Sequence, residues 1–273
     1  MKNSFFSKLT VVLFICLIPQ DIAAQKITAK SPEVKLKEIF TAKQIQQIKA
    51  YKTAFANTNT VADFTAAYRK GAQLKKDLFD AMNKDFEKQS KINVEKAGNY
   101  KWLYPFIPGY QSSLVAEGTV VELILYYKNF LAKATKTAEK TDDDFINLMI
   151  AAYGEHETFY PVWFNQTWDY GGCSHLGKGI HNKTLVSINN LYSSNKLFKP
   201  ELNEVREKAL NDILKWTTYC SPRENAIKEI NQIIKAVPLS VNEKKQLQNR
   251  VIKFQKPDKS LQFNCDKANC SYG

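Results

Sequence analysis

Residues 141–181 read TDDDFINLMIAAYGEHETFYPVWFNQTWDYGGCSHLGKGIH, and the fold turns on how this stretch divides. Its first part carries three signs of a helix. Thr141 is a good N-cap. Asp142, Asp143 and Asp144 stand where the positive end of a helix dipole favours acids. FINLMIAAY is apolar almost all round, which suits a helix inside a core. Carried onward at helical spacing, Phe145, Met149, Ala152, His156 and Phe159 share one face, and Ile146, Ile150, Tyr153, Glu157 and Tyr160 the adjacent one. Pro161 ends the run. The second part, 153–181, concentrates chemistry: it holds all 3 histidines and two of the 4 tryptophans.

The flanks read as helices that frame this stretch. Leu36 to Asn57 has an apolar stripe (Ile45, Ile48, Phe55), and Thr41 with Gln44 resembles a capping box. Val61, Phe64, Tyr68, Gly71, Leu78, Met82 and Phe86 mark a longer amphipathic helix, so 36–90 is expected to form a hairpin. Between Asn93 and Gln111 the helical signal stops. Tyr100, Trp102, Tyr104 and Phe106 alternate there, with Pro105, Pro108 and Gly109 as breakers. Such a segment either lines a cleft or plugs the core. Ser113 to Lys140, with Leu114, Val120, Val121, Ile124, Leu125 and Leu131, reads as one helix, with Glu117 on its stripe.

Downstream, amphipathic segments cover 185–192 and 201–218, the latter opening on Pro200. Ser221-Pro222-Arg223-Glu224 has the form of a capped helix start, and so has Ser240 with Glu243. No window alternates in the manner of strands. The expected class is all-α: an irregular multi-helix bundle with core helices over 113–160, an aromatic-rich lid over 161–183, C-terminal helices over 184–256 and a tail over 257–273.

Residues 1–24 have the form of a secretory signal: Lys2 and Lys8, an apolar run Leu9–Ile18, then Ile22-Ala23-Ala24 as cleavage site. Taking 24 residues from 273 leaves 249, one domain, and lowers the formal charge from +12 to +11. No later run is apolar for long enough to span a bilayer. An exported basic chain is drawn to anionic surfaces such as cell-wall glycans, and its compartment argues against nucleic acid. The expected location is secreted or periplasmic. Cys173, Cys220, Cys265 and Cys270 then make an even set, read as two disulfides with three possible connectivities, of which Cys173–Cys220 with Cys265–Cys270 is favoured.

Three constellations could carry chemistry. Glu155-His156-Glu157, at the end of an apolar helix, offers a general acid, with Asp169 or Glu117 as a second carboxylate. The alternative is that the helix end reaches water. His156, His175 and His181 with neighbouring carboxylates are ligand types for a divalent metal, although no H-E-x-x-H pair occurs. Tyr160, Trp163, Trp168 and Tyr170, interleaved with Asn165 and joined by Trp102, suit a ligand with flat apolar faces and hydroxyls, such as a sugar. The alternative is a lid packed on the core.

His156-Glu157-Thr158, after Ile150-Ala151-Ala152-Tyr153, is similar to the helix-end His-Glu-Thr of plant-type chitinases of the lysozyme superfamily. That resemblance implies Glu157 as general acid. It covers residues 150–158, and the family's downstream Gly-Arg-Gly segment is absent. Gly154-x-His156 resembles the imelysin-type Gly-x-His-x-x-Glu motif, with Phe159 where that motif has Glu. The expectation that follows is a cell-envelope protein binding a glycan-like or anionic ligand. A lysozyme-like hydrolase using Glu157 is the alternative, and a metal-dependent site using the three histidines the third.

Overall fold

Two threonine capping boxes start the N-terminal half. Thr41 opens α2 (Ala42–Ala56) with Gln44 as its reciprocal partner, and Thr60 opens α3 (Val61–Ile92) with Asp63. Each box satisfies backbone N–H groups that a helix start leaves without partners. A short α1 (Pro32–Ile39) precedes them. The computed structural model describes residues 30–93, 97–115, 118–158, 160–166, 171–194 and 196–264. The signal-like residues 1–24 and the cysteines Cys265 and Cys270 lie outside this set.

The all-α expectation requires correction at 113–140. Two antiparallel strands, β1 (Tyr110–Val115) and β2 (Val120–Leu125), precede a short α4 (Tyr127–Ala134). Gly118 makes the turn at φ +80°. In β2, Val121, Leu123 and Leu125 are buried while Val120, Glu122 and Ile124 are half-buried. Val121 and Leu125 are four apart as well as even-spaced, so a run this short satisfies a helical and a strand period together. Its β-branched content favours the strand.

The buried helix α5 (Thr141–Tyr153) follows, and it stops earlier than the spacing suggested. Gly154 stands at φ +88°, ψ −166°, a region open essentially to glycine. The chain then runs extended beside the end of β2. Glu157 N donates to Leu125 O at 2.7 Å, and Tyr127 N donates to Glu155 O at 2.9 Å. Glu155, His156 and Glu157 therefore lie on an added strand, not on a helix face.

The core forms where α3, α4, α5 and Phe198 meet. Phe145 stacks on Phe198 at 4.0 Å, and Tyr68 meets Phe130, Phe145 and Phe198 edge-on. Tyr100, Leu103 and Ile107 are buried, so the aromatic segment before β1 plugs the core on that side.

The C-terminal half contains α6 (Ile180–Ser194), α7 (Lys199–Lys215), α8 (Arg223–Ala236) and α9 (Val241–Gln255). Ser240 and Glu243 form the expected capping box at α9. Ser221 does not cap α8; its hydroxyl donates to Leu176 O instead. A second two-stranded sheet, β3 (Phe164–Gln166) with β4 (Gly172–Ser174), occupies the expected lid. Ser174 N donates to Thr218 O, and Cys220 N to Ser174 O, both at 2.8 Å, so residues 218–220 flank β4. The Cys173–Cys220 disulfide ties the two, with Cα atoms 5.3 Å apart. It is the one disulfide among the described residues. The architecture is thus mostly helical, with two small sheets. No helix among the described residues is long and apolar enough to cross a membrane.

Candidate functional site

The added strand puts Glu157 against α3. Its Oε2 accepts from Lys75 Nζ at 2.9 Å, and the same ammonium reaches Glu122 Oε1 at 3.1 Å. Burial works against the Lys75 charge, but the two carboxylates outweigh it and hold the group above its ordinary value. Behind them stand Tyr68, Tyr110, Tyr127 and Tyr153. Burial raises each hydroxyl above its ordinary value, and the charge of Glu157 adds to the effect. The Tyr110 hydroxyl is buried with no hydrogen-bond partner among the described residues. Glu155 points elsewhere, to Lys128 Nζ at 2.5 Å, and both side chains are more than half exposed. His156 is exposed and lies parallel to the Tyr126 ring, 6.2 Å away.

The histidines do not converge. His175 is half-buried, with Nδ1 3.1 Å from Val162 O, and burial lowers its pKa below the ordinary value. His181 belongs to α6 and is fully buried. Its Nε2 lies 2.8 Å from Asp212 Oδ2, and the Ser174 hydroxyl donates to that same oxygen at 2.5 Å. Serine, histidine and aspartate meet here in the wrong order for a nucleophile, because the serine proton goes to the carboxylate and not to the imidazole. Among the described residues no three His, Cys, Asp or Glu side chains are grouped to hold a metal ion.

The glycines after β4 form a cradle, and this chain fills it from within. The carboxylate of Glu229 on α8 accepts from Gly177 N at 2.5 Å, Gly179 N at 3.0 Å and Asn182 N at 3.0 Å. It caps the start of α6, where backbone donors and dipole favour negative charge.

The aromatic set divides. Trp163, expected to contact ligand, is only 1% exposed, packed near Tyr153 and His181. That expectation is corrected: the indole is core, because β3 turns it inward beneath the sheet. Trp102 is half-buried beside Tyr100, with Lys35 Nζ 5.6 Å from its ring centre. Trp168, Asp169 and Tyr170 lie outside the described residues. Tyr160 is half-buried and Asn165 exposed, and the two are joined by Trp216 from a distant segment. Tyr160 stacks on Phe164 at 5.1 Å, and Phe164 meets Trp216 edge-on at 4.6 Å. Trp216 is 37% exposed, and Asn165 and Gln166 beside Phe164 are exposed.

This row is rigidly mounted. A Cβ at Gly172 would lie 2.5 Å from the Phe164 ring, so only glycine lets that ring lie flat on β4. The Trp216 carbonyl accepts from the buried Arg250 guanidinium and from the Tyr219 hydroxyl. The disulfide joins β4, the strand paired with the one that carries Phe164, to the segment that follows Trp216. Lys75, Glu122 and Asp212 were not selected from sequence. Phe164 stood within the aromatic-rich stretch, and Trp216 was read only as part of the apolar stripe of 201–218. No family model matches this chain, no curated protein is significantly similar to it, and no solved structure matches it.

Proposed function

We propose that this is an exported binding protein that holds a glycan-like ligand on the aromatic row Tyr160–Phe164–Trp216, with Asn165 and Gln166 as hydrogen-bonding partners. The observation that carries the reading is the row itself: three rings in contact, Tyr160 and Phe164 half-buried and Trp216 exposed, supported by Gly172, Arg250 and a disulfide, beside two exposed side-chain amides. Sugar rings present flat C–H faces for stacking and hydroxyls for amides. A surface already held in place gives up little entropy on binding. The disulfide suits an oxidising compartment, and a basic chain, +12 over its full length and +11 without residues 1–24, suits an anionic envelope.

Isothermal titration with peptidoglycan and chitin oligomers tests this reading. Trp216→Ala should weaken binding by about 1–3 kcal/mol through lost stacking and burial. Unchanged affinity in that variant would remove the row from the function.

Glycan cleavage is the second reading, and one observation favours it. Glu122 and Glu157 contact one ammonium at 3.1 and 2.9 Å, so these oxygens lie within about 6 Å of each other. Retaining glycosidases space their carboxylates at roughly 5–5.5 Å. Against it, Lys75 stands between the two, where an acid would need its proton. Turnover by the wild type that Glu157→Gln abolishes, with binding intact, would establish hydrolysis over binding alone.

A further inference from the structure

A cavity that shares no lining residue with the aromatic row lies between the end of α2, the segment leading into β1, and α4. Its volume is about 380 Å³, within the size range of small-molecule sites. None of the residues lining it is acidic, and two are lysines, Lys133 and Lys136. We propose that this cavity binds a compact anionic sugar, a single ring bearing a carboxylate or a phosphate.

The polar groups come from one face of α4 and its exit turn. Asn129, Lys133 and Lys136 recur at spacings of four and three, which places them in line on a helix. Lys133 Nζ donates to Ala56 O at 3.0 Å and lies 5.4 Å from the Phe55 ring centre. Its ammonium is therefore positioned, with donors left over for a ligand. The side chains of Asn129, Gln111 and Lys136 have no hydrogen-bond partner among the described residues, so neutral and charged donors both remain for an incoming group.

The opposite wall is apolar and built to shape. Tyr104 is held through its hydroxyl, which lies 3.2 Å from Ser112 Oγ and accepts from Ser112 N at 3.2 Å. Gly109 has φ +86°, and a Cβ there would lie 2.5 Å from the Phe130 ring. Glycine thus brings this wall closer to α4 than any other residue allows. Rings on one side, amides and two ammonium groups on the other, and no carboxylate, together match an anionic pyranose better than a neutral one.

The test uses the full exported chain and three probes: glucuronic acid, glucose 6-phosphate and neutral glucose, each titrated by calorimetry at physiological salt. One or both anions should bind, with glucose at least tenfold weaker. The tighter anion identifies the substituent. Lys136→Glu should weaken the anion tenfold or more, whereas Lys235→Glu, an equal charge change on exposed α8 surface, should alter it less than threefold. Trp216→Ala should leave it unchanged, which separates this site from the aromatic row. Equal binding of all three probes, no binding of either anion, or equal losses in the two lysine variants would overturn the proposal.

Discussion

Arg206 and Glu243 show how one residue pair ties the C-terminal helices together. The guanidinium on α7 grips both carboxylate oxygens of Glu243 at the start of α9, the longer contact being 3.2 Å. The same carboxylate accepts from Ser240 N at 2.7 Å. Arg206 above all, then the cap, pulls the Glu243 pKa down from 4.5 to about 2, with burial opposing. A carboxyl depressed in the folded state stabilises the fold above its unfolded pKa, and this stabilisation is lost as pH falls through the folded value. The window is therefore pH 4.5 down to about 2. A shift of that size corresponds to roughly 3 kcal/mol as an upper figure, reduced by solvent screening because both side chains are partly exposed. Arg206→Ala should destabilise the protein at neutral pH and flatten this part of the acid dependence. Urea midpoints across pH 2–5 that fall in parallel for variant and wild type would count against the assignment.

At the scale of elements, β2 was the least legible part of the chain. Strand and helix patterns coincide over six residues, and the decision falls to what lies alongside. Tyr110 to Val115 supplies one partner strand, and Glu155 to Glu157 continues the ladder past the end of β2. On α3, Asn83 mimics a further strand. Its Nδ2 donates to Val121 O at 2.9 Å, and its Oδ1 accepts from Val121 N at 2.8 Å. Val121 is 1% exposed, so water is a poor substitute partner. Asn83→Ala should cost about 1–3 kcal/mol by leaving buried backbone groups unpaired. A chemical denaturation midpoint equal to wild type would show that the strand edge does not need this amide. By contrast, the capping boxes at α2 and α9 were readable directly, because a cap is a contact between residues three apart.

At the scale of the molecule, the disulfide decides whether the aromatic row keeps its shape. It bridges residues 47 apart in sequence, and constraining an unfolded loop of that length is worth about 2–4 kcal/mol. Replacing Cys173 and Cys220 together by serine should lower stability by that amount, read from urea unfolding. It should also weaken glycan binding, because it ties β4, which pairs with the strand of Phe164, to the segment that follows Trp216. Unaltered stability in the double variant would contradict this account. The buried α5 provides a second check. Met149 is 7% exposed, and Met149→Asp should unfold the protein, since an unpaired buried carboxylate costs several kcal/mol against a total of about 5–15. A cooperatively folded variant melting near wild type would sink that assignment.

The sequence by itself determined the features that depend on near neighbours and on composition. These are the capped starts of α2 and α9, the amphipathic α3 and the apolar α5 with its acidic first turn; the four cysteines left three pairings open, and the fold selects Cys173 with Cys220. Only the tertiary structure decided which chemistry-bearing side chains meet. Glu157 finds Lys75, 82 residues away, because Gly154 breaks the helix and turns the chain along β2. His181 finds Asp212 inside the core, Glu229 fills the glycine cradle, and Trp163 turns inward while Trp216 stays at the surface. Each outcome depends on which group offers a buried charge or donor its partner, and that choice is made across the packed elements, not along the chain.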